Sequence, residues 1–227
     1  MLIFYFLLFI ALLIAYIRVK LKGPSLPGLI LKSLTTVVLL LAALEVNLAT
    51  VKDVSLAHII PMALIFGLLG DIFLDLKLIY TKDNDFYTYA GFFAFIIGHL
   101  FYIYHFLLSY ELSIVAYSFI FGLAGMIVFL VLVTEVPMQL NYGKFRAISS
   151  VYAFILSFIV FFSVWVAFVY GGNQLKLFST GLILFLLSDL VLSQSYFGKE
   201  EKPWMITTNY MLYYGAQFLI VYSLYIN

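Results

Sequence analysis

Residues Leu68 to Leu76 read LLGDIFLDL. They lie in the run 55–77, otherwise apolar enough for the middle of a bilayer, yet they carry Asp71 and Asp75. A hydrocarbon core of about 30 Å takes roughly 17 to 25 residues of helix to cross, and the run has that length. At i, i+4 the two aspartates share one helix face. An ionised side chain at such depth is costly unless it is paired or wetted. The pair therefore predicts a helix that crosses the membrane and turns a polar face inward.

The rest of the chain extends that reading. Of 227 residues, 65% are hydrophobic and only 10% charged, with a mean hydropathy of +1.13, the composition of an integral membrane protein. Eight apolar runs are separated by short polar or Pro/Gly-bearing breaks: 2–17, 28–48, 55–77, 88–108, 112–133, 147–170, 175–197 and 205–226. No break is long enough to be a domain, so the expected fold is all-α: a polytopic membrane protein with eight transmembrane helices in one bundle, a single transmembrane domain over 1–227. The first run has its positive charges after the apolar stretch and no small-residue cleavage site, and reads as a retained helix. With no cysteine there is neither a disulfide framework nor a thiol nucleophile. A net charge of +1 supplies no basic field for nucleic acid.

Lysine and arginine set the expected orientation. The breaks after helices 1, 3, 5 and 7 hold Arg18, Lys20, Lys22, Lys77, Lys82, Lys144, Arg146, Lys199 and Lys202, nine in all, against Lys52 and Lys176 after helices 2, 4 and 6. That bias predicts cytoplasmic loops after the odd helices and both termini outside. A repeat is also legible. LLGDIFL (68–74) resembles LLSDLVL (186–192), and the same offset carries His99 onto Gln217 and Tyr104 onto Tyr222. A parallel 4+4 duplication accounts for this; chance matching of leucine-rich helices is the competing reading.

The intramembrane polar residues are Lys32, Glu45, Asp71, Asp75, His99, His105 and Asp189, with Asn209 and Gln217. By depth, Lys32, Asp71, Asp75, Asp189 and Asn209 fall in one cytoplasmic-half layer, with His99 and Gln217 nearer the midplane. His99 and Tyr102 are i, i+3; Asp189 and Ser193 are i, i+4; Asn209, Tyr210, Tyr213 and Gln217 form one stripe. Structural readings stand beside the functional one. Lys32 with an aspartate makes a buried ion pair, Asp75 and Lys32 are both near enough to the interface to snorkel, and His99 and Gln217 are suited to bonding neighbouring helices. His105 and Glu45 lie towards the other face and read as structural. There is no G-x-S-x-G, no H-E-x-x-H, and three histidines at different depths do not make a zinc site. Carboxylate acid/base chemistry is what remains.

The stretches GDIFLDL (70–76), IIGHLFYI (96–103), FLLSDLVLS (185–193) and YYGAQFLIVYS (213–223), with Lys32 upstream, resemble the lysoplasmalogenase family, the YhhN-type membrane proteins. The resemblance implies an ether hydrolase that cleaves the vinyl ether bond of a lysoplasmalogen drawn from the bilayer, releasing a fatty aldehyde and glycerophosphocholine or glycerophosphoethanolamine. It implies Asp71 and Asp189 as catalytic residues, and Lys32, His99, Tyr102, Tyr213 and Gln217 as substrate-binding ones, to which the polar stripe of the last helix adds Asn209. No metal or organic cofactor is required, and the expected location is the bacterial inner (cell) membrane. Asp75 departs from the family pattern and is a secondary candidate that bears on headgroup preference; Ser33 stands where bacterial members often have proline. Two other readings remain. Asp71-x-x-x-Asp75 is similar to the Mg-binding pair of membrane prenyltransferases, although Ser193 stands where a repeat would need a second acid. A transporter or lipid carrier fits a repeat with midplane polar groups.

Overall fold

In a computed structural model, residues 2–49, 56–199 and 202–226 are described. They form eight α-helices: α1 (Leu2–Lys20), α2 (Leu26–Ala49), α3 (Leu56–Ile79), α4 (Asn84–Ser109), α5 (Ile114–Thr134), α6 (Arg146–Tyr170), α7 (Asn173–Phe197) and α8 (Pro203–Tyr222). No strand occurs among the described residues. Lys52 lies outside them. Helices overrun their apolar cores where a polar turn continues the backbone pattern. Thus α1 takes in Arg18 and Lys20, cations that complement the carbonyl end of its dipole, and α4 starts at Asn84, directly after a single 3₁₀ turn at Thr81–Asp83. Between α1 and α2 the chain reverses at Gly23, whose φ of +118° is open to glycine.

Seven of the described helices are long and apolar enough to cross a membrane. The eighth, α8, has 20 residues and is diluted by Thr207, Thr208, Asn209 and Gln217. Asn209 and Gln217 are buried within the protein, so this helix presents polar groups to its neighbours at the expense of overall apolarity. Exposed side chains on the other helices include Leu7, Phe93, Leu108, Ile114, Phe129 and Phe168, a surface that suits acyl chains.

Contacts divide the chain into two compact units, Met1–Phe101 and Tyr102–Asn227, with the division inside α4. In the first, α2 packs against both α1 and α3. There α3 meets α4 closely: a Cβ on Gly70 would come within 2.6 Å of the Phe95 ring, and one on Gly98 within 3.2 Å of the Ala63 carbonyl. Small residues at such crossings let helices gain dispersion contacts that lipid tails cannot provide, since in a bilayer no hydrophobic effect drives helix to helix.

In the second unit α7 packs between α6 and α8, and α5 against α6. Its centre is aromatic, with Phe106 stacked on Phe178 at 5.4 Å and edge-on to Phe162 at 5.6 Å. The α5–α6 connection is tied down by buried Glu135, which accepts from the Tyr142 N–H at 3.2 Å and from Arg146 at 2.5 Å. The Asn141 N–H donates to the Phe197 carbonyl at the end of α7.

Candidate functional site

In the first unit the sequence brings charge together. Asp71 and Asp75, one turn apart on α3, are 3% and 4% exposed. Lys32 of α2, itself 3% exposed, places its ammonium 3.1 Å from Asp71 Oδ1 and 3.4 Å from Asp75 Oδ1. A second ammonium, that of Lys20 at the end of α1, lies 3.6 Å from the same Asp75 oxygen. Two lysines thus face two carboxylates inside the protein. Such an arrangement recovers desolvation only if every charge keeps its partner, because removing one strands another. Asp75 and Lys32, which the sequence allows to snorkel, are buried and paired with each other. Both are held where α2 packs against α1 and α3. Lys20, read from the sequence as a loop charge, is instead the last helical residue of α1 and 6% exposed. His99, on α4, is also buried.

In the second unit Asp189, half-buried on α7, accepts a short hydrogen bond at Oδ2 from the Tyr152 hydroxyl of α6. Ser188 Oγ lies 3.4 Å from Oδ1 and donates to the Phe185 carbonyl at 2.7 Å. Asn209 of α8 donates to the Ser188 carbonyl at 2.7 Å, so the α8 stripe is anchored to α7 beside the aspartate. Tyr213 packs edge-on to Phe185 at 5.1 Å, and Tyr102 edge-on to Phe178 at 5.2 Å. Gln217 is buried, and its Oε1 accepts no hydrogen bond from the described residues. Ser193, which shares a helical face with Asp189, turns its hydroxyl to the Leu190 carbonyl. Of the residues reasoned from sequence, Lys32, Asp71 and Asp75 form one cluster, and Asp189 with Asn209 belongs to another.

Tyr152 and Lys20 are the two members that sequence reasoning overlooks. Tyr152 is one of 18 tyrosines with no local mark to separate it from packing or interface tyrosines. Lys20 does carry a signal, a cation within reach of a helix end that faces an intramembrane acid, but it is hidden in a loop-charge count. Among the described residues no group of three or more His, Asp or Glu side chains is arranged to hold a metal. The carboxylates of the Asp71-x-x-x-Asp75 pair are engaged by ammonium groups.

Membrane-length helices that enclose paired charges and a hydroxyl-bonded carboxylate define a polytopic membrane protein whose polar chemistry is confined to its interior. Residues 28–224 match the YhhN family, and the chain belongs to that family, the family of lysoplasmalogenases. The match spans Lys32, Asp71, His99, Asp189 and Gln217 and begins after Lys20. No curated protein and no solved structure matches the chain.

Proposed function

We propose that the protein hydrolyses the vinyl ether bond of lysoplasmalogens, with Asp71 and Asp189 as its acid/base residues. Membership of the YhhN family over residues 28–224 is the observation that carries this reading. The chemistry suits the side chains. A vinyl ether is cleaved by protonation of its distal alkene carbon, which gives an oxocarbenium ion. Water adds to that cation, and the resulting hemiacetal collapses to a fatty aldehyde and the glycerol hydroxyl. One carboxylic acid supplies the proton and one carboxylate stabilises the cation and takes a proton from water, the division of labour of a glycosidase.

Asp71, 3.1 Å from the Lys32 ammonium, suits the carboxylate role, since a fixed cation stabilises the negative form. Asp189, hydrogen-bonded by Tyr152, takes the role of the acid, and Gln217 Oε1 is an acceptor for water or the glycerol. The exposed apolar flanks accept the alkenyl chain from the bilayer. On the positive-inside bias of nine against two, the loops after helices 1, 3, 5 and 7 face the cytoplasm of a bacterial inner membrane.

The test is fatty-aldehyde release from 1-alkenyl-lysophosphatidylethanolamine by purified protein in detergent, with and without EDTA, for wild type, Asp71→Asn and Asp189→Asn. EDTA-insensitive release that falls at least about a hundredfold in each variant is expected, the usual contribution of a general acid or base. No release from folded wild-type protein would overturn the reading. It would favour a carrier that moves lipid unchanged, and release lost to EDTA would instead favour metal chemistry.

A further inference from the structure

The charged cluster of the first unit borders a narrow cleft, open at its mouth, that the reaction above does not use. Its walls include Tyr16, Lys20, Ser25, Gly28, Asp75 and Ile79. Three features give it a direction. Lys20 is 6% exposed, yet its ammonium makes no hydrogen bond to a described residue; its nearest carboxylate oxygen is 3.6 Å away. Both lysines approach Asp75 through Oδ1, and Oδ2 accepts no hydrogen bond from the described residues, so one oxygen of a buried carboxylate is left for something else. Finally, the first turn of α2 opens onto the cleft. Ser25 caps it by accepting from the Gly28 N–H at 3.3 Å, and the amide end of this 24-residue helix adds a positive partial charge on the Lys20 side.

A buried ammonium with unused donors beside a buried carboxylate with an unused oxygen is complementary to a ligand that carries both an anion and an N–H cation. We infer that this cleft is a headgroup subsite for a phosphodiester bearing a primary ammonium: Lys20 receives the phosphate at the positive end of the α2 dipole, and Asp75 Oδ2 accepts from the ammonium. The inference rests on the hydrolase reading and narrows it to ethanolamine-type lyso-lipids. A primary ammonium brings three N–H donors to the carboxylate and makes charge-assisted bonds. A quaternary ammonium has none, and its methyl groups hold the charge away. Quaternary ammonium is recognised by cages of several aromatic rings, whereas this cleft offers Tyr16 alone. Lys32, which already balances Asp71 and Asp75, is spared from phosphate binding. Lys20 precedes the residues that match the family, and Asp75 lies within them.

The experiment measures binding of glycerophosphoethanolamine and glycerophosphocholine to detergent-purified full-length protein by titration calorimetry, for wild type, Lys20→Met and Asp75→Asn, with a thermal melt of each. In parallel, kcat and KM are measured on the ethanolamine and choline lyso-lipids. A charge-assisted hydrogen bond corresponds to about ten- to a hundredfold in affinity. That preference for the ethanolamine ligand is expected in wild type, appearing in KM more than kcat. Asp75→Asn is expected to erase it, and Lys20→Met to weaken both ligands alike. Equal affinities in wild type, or a preference that survives in folded Asp75→Asn, would overturn the subsite. If Asp75→Asn does not fold, the wild-type pair of titrations decides. The two readings fail separately. Cleavage of both lipids with equal kcat/KM and equal affinity leaves the hydrolase and removes the subsite, whereas selective binding without aldehyde release removes the hydrolase and leaves the subsite.

Discussion

Asp71 and Asp189 occupy look-alike stretches, GDIFL and SDLVL, and are held in different ways. Asp71 faces a buried ammonium within a cluster of two lysines and two aspartates. Asp189 is half-buried and bonded by a phenol and a neighbouring serine hydroxyl. The difference teaches that a motif specifies the acid but not what neutralises it, because the partners come from far along the chain: Lys32 is 43 residues from Asp75, and Tyr152 is 37 from Asp189. It also predicts unequal fragility. A buried ion pair that loses one member strands a charge, whereas a hydroxyl that is lost leaves a half-buried carboxyl with access to water.

The largest effect is therefore expected in the first unit. Lys32→Met removes the ammonium that Asp71 and Asp75 share and should cost about 3 to 5 kcal/mol, read by denaturant titration in detergent. The double variant Lys32→Met/Asp71→Asn should recover part of that loss. A single variant within about 1 kcal/mol of wild type, the scale of a surface pair, would break the comparison.

In the second unit the most sensitive point is expected to be steric. A Cβ on Gly181 would lie 2.9 Å from the Ala216 carbonyl and 2.7 Å from Ile220 Cγ1, whereas one on Gly125 meets nothing within 4 Å. Gly181→Ala should then cost about 2 kcal/mol by overpacking α7 against α8, and Gly125→Ala should be neutral or better in the same melts. Equal melting temperatures would mean that the α7–α8 crossing is not as close as the backbone requires.

Tyr152→Phe comes next, at about 1 kcal/mol for a hydrogen bond between a hydroxyl and a neutral carboxyl. Aldehyde release should be reduced rather than abolished, since the aspartate itself remains. A loss as large as that of Lys32→Met would show the two clusters to be equally brittle.

The smallest effect concerns Tyr142, in the connection before α6. Burial pushes its phenol above the usual value, the Ser193 hydrogen bond opposes this, and the Glu135 carboxylate adds to it. A raised folded value means that the protonated phenol is favoured in the native state. Its contribution is complete below about pH 10, the ordinary tyrosine value, and is lost as pH rises through the higher folded one. Tyrosinate absorbance followed against pH should show Tyr142→Phe missing a late-titrating group, and this variant should lose less stability above pH 10 than wild type.

Much of this was legible in the sequence, for reasons tied to particular residues. The run around Asp71 announces a helix that must hide a charge, and hydropathy along the chain separates eight helices, because both depend on neighbours within a few turns. The polar positions stand out for the same reason: Lys32, Asp71, Asp189 and Gln217 are costly in an apolar run wherever that run sits. What the tertiary structure alone decided is who meets them. Whether Lys20 ends as a solvated loop charge or a buried partner of Asp75 depends on how far α1 continues and how it leans on α3. Whether Tyr152 is a packing ring or a donor to Asp189 depends on the rotation of α6 against α7. Helix rotation and depth are settled by the sum of many weak contacts between segments distant in sequence, and no short stretch of residues contains that sum.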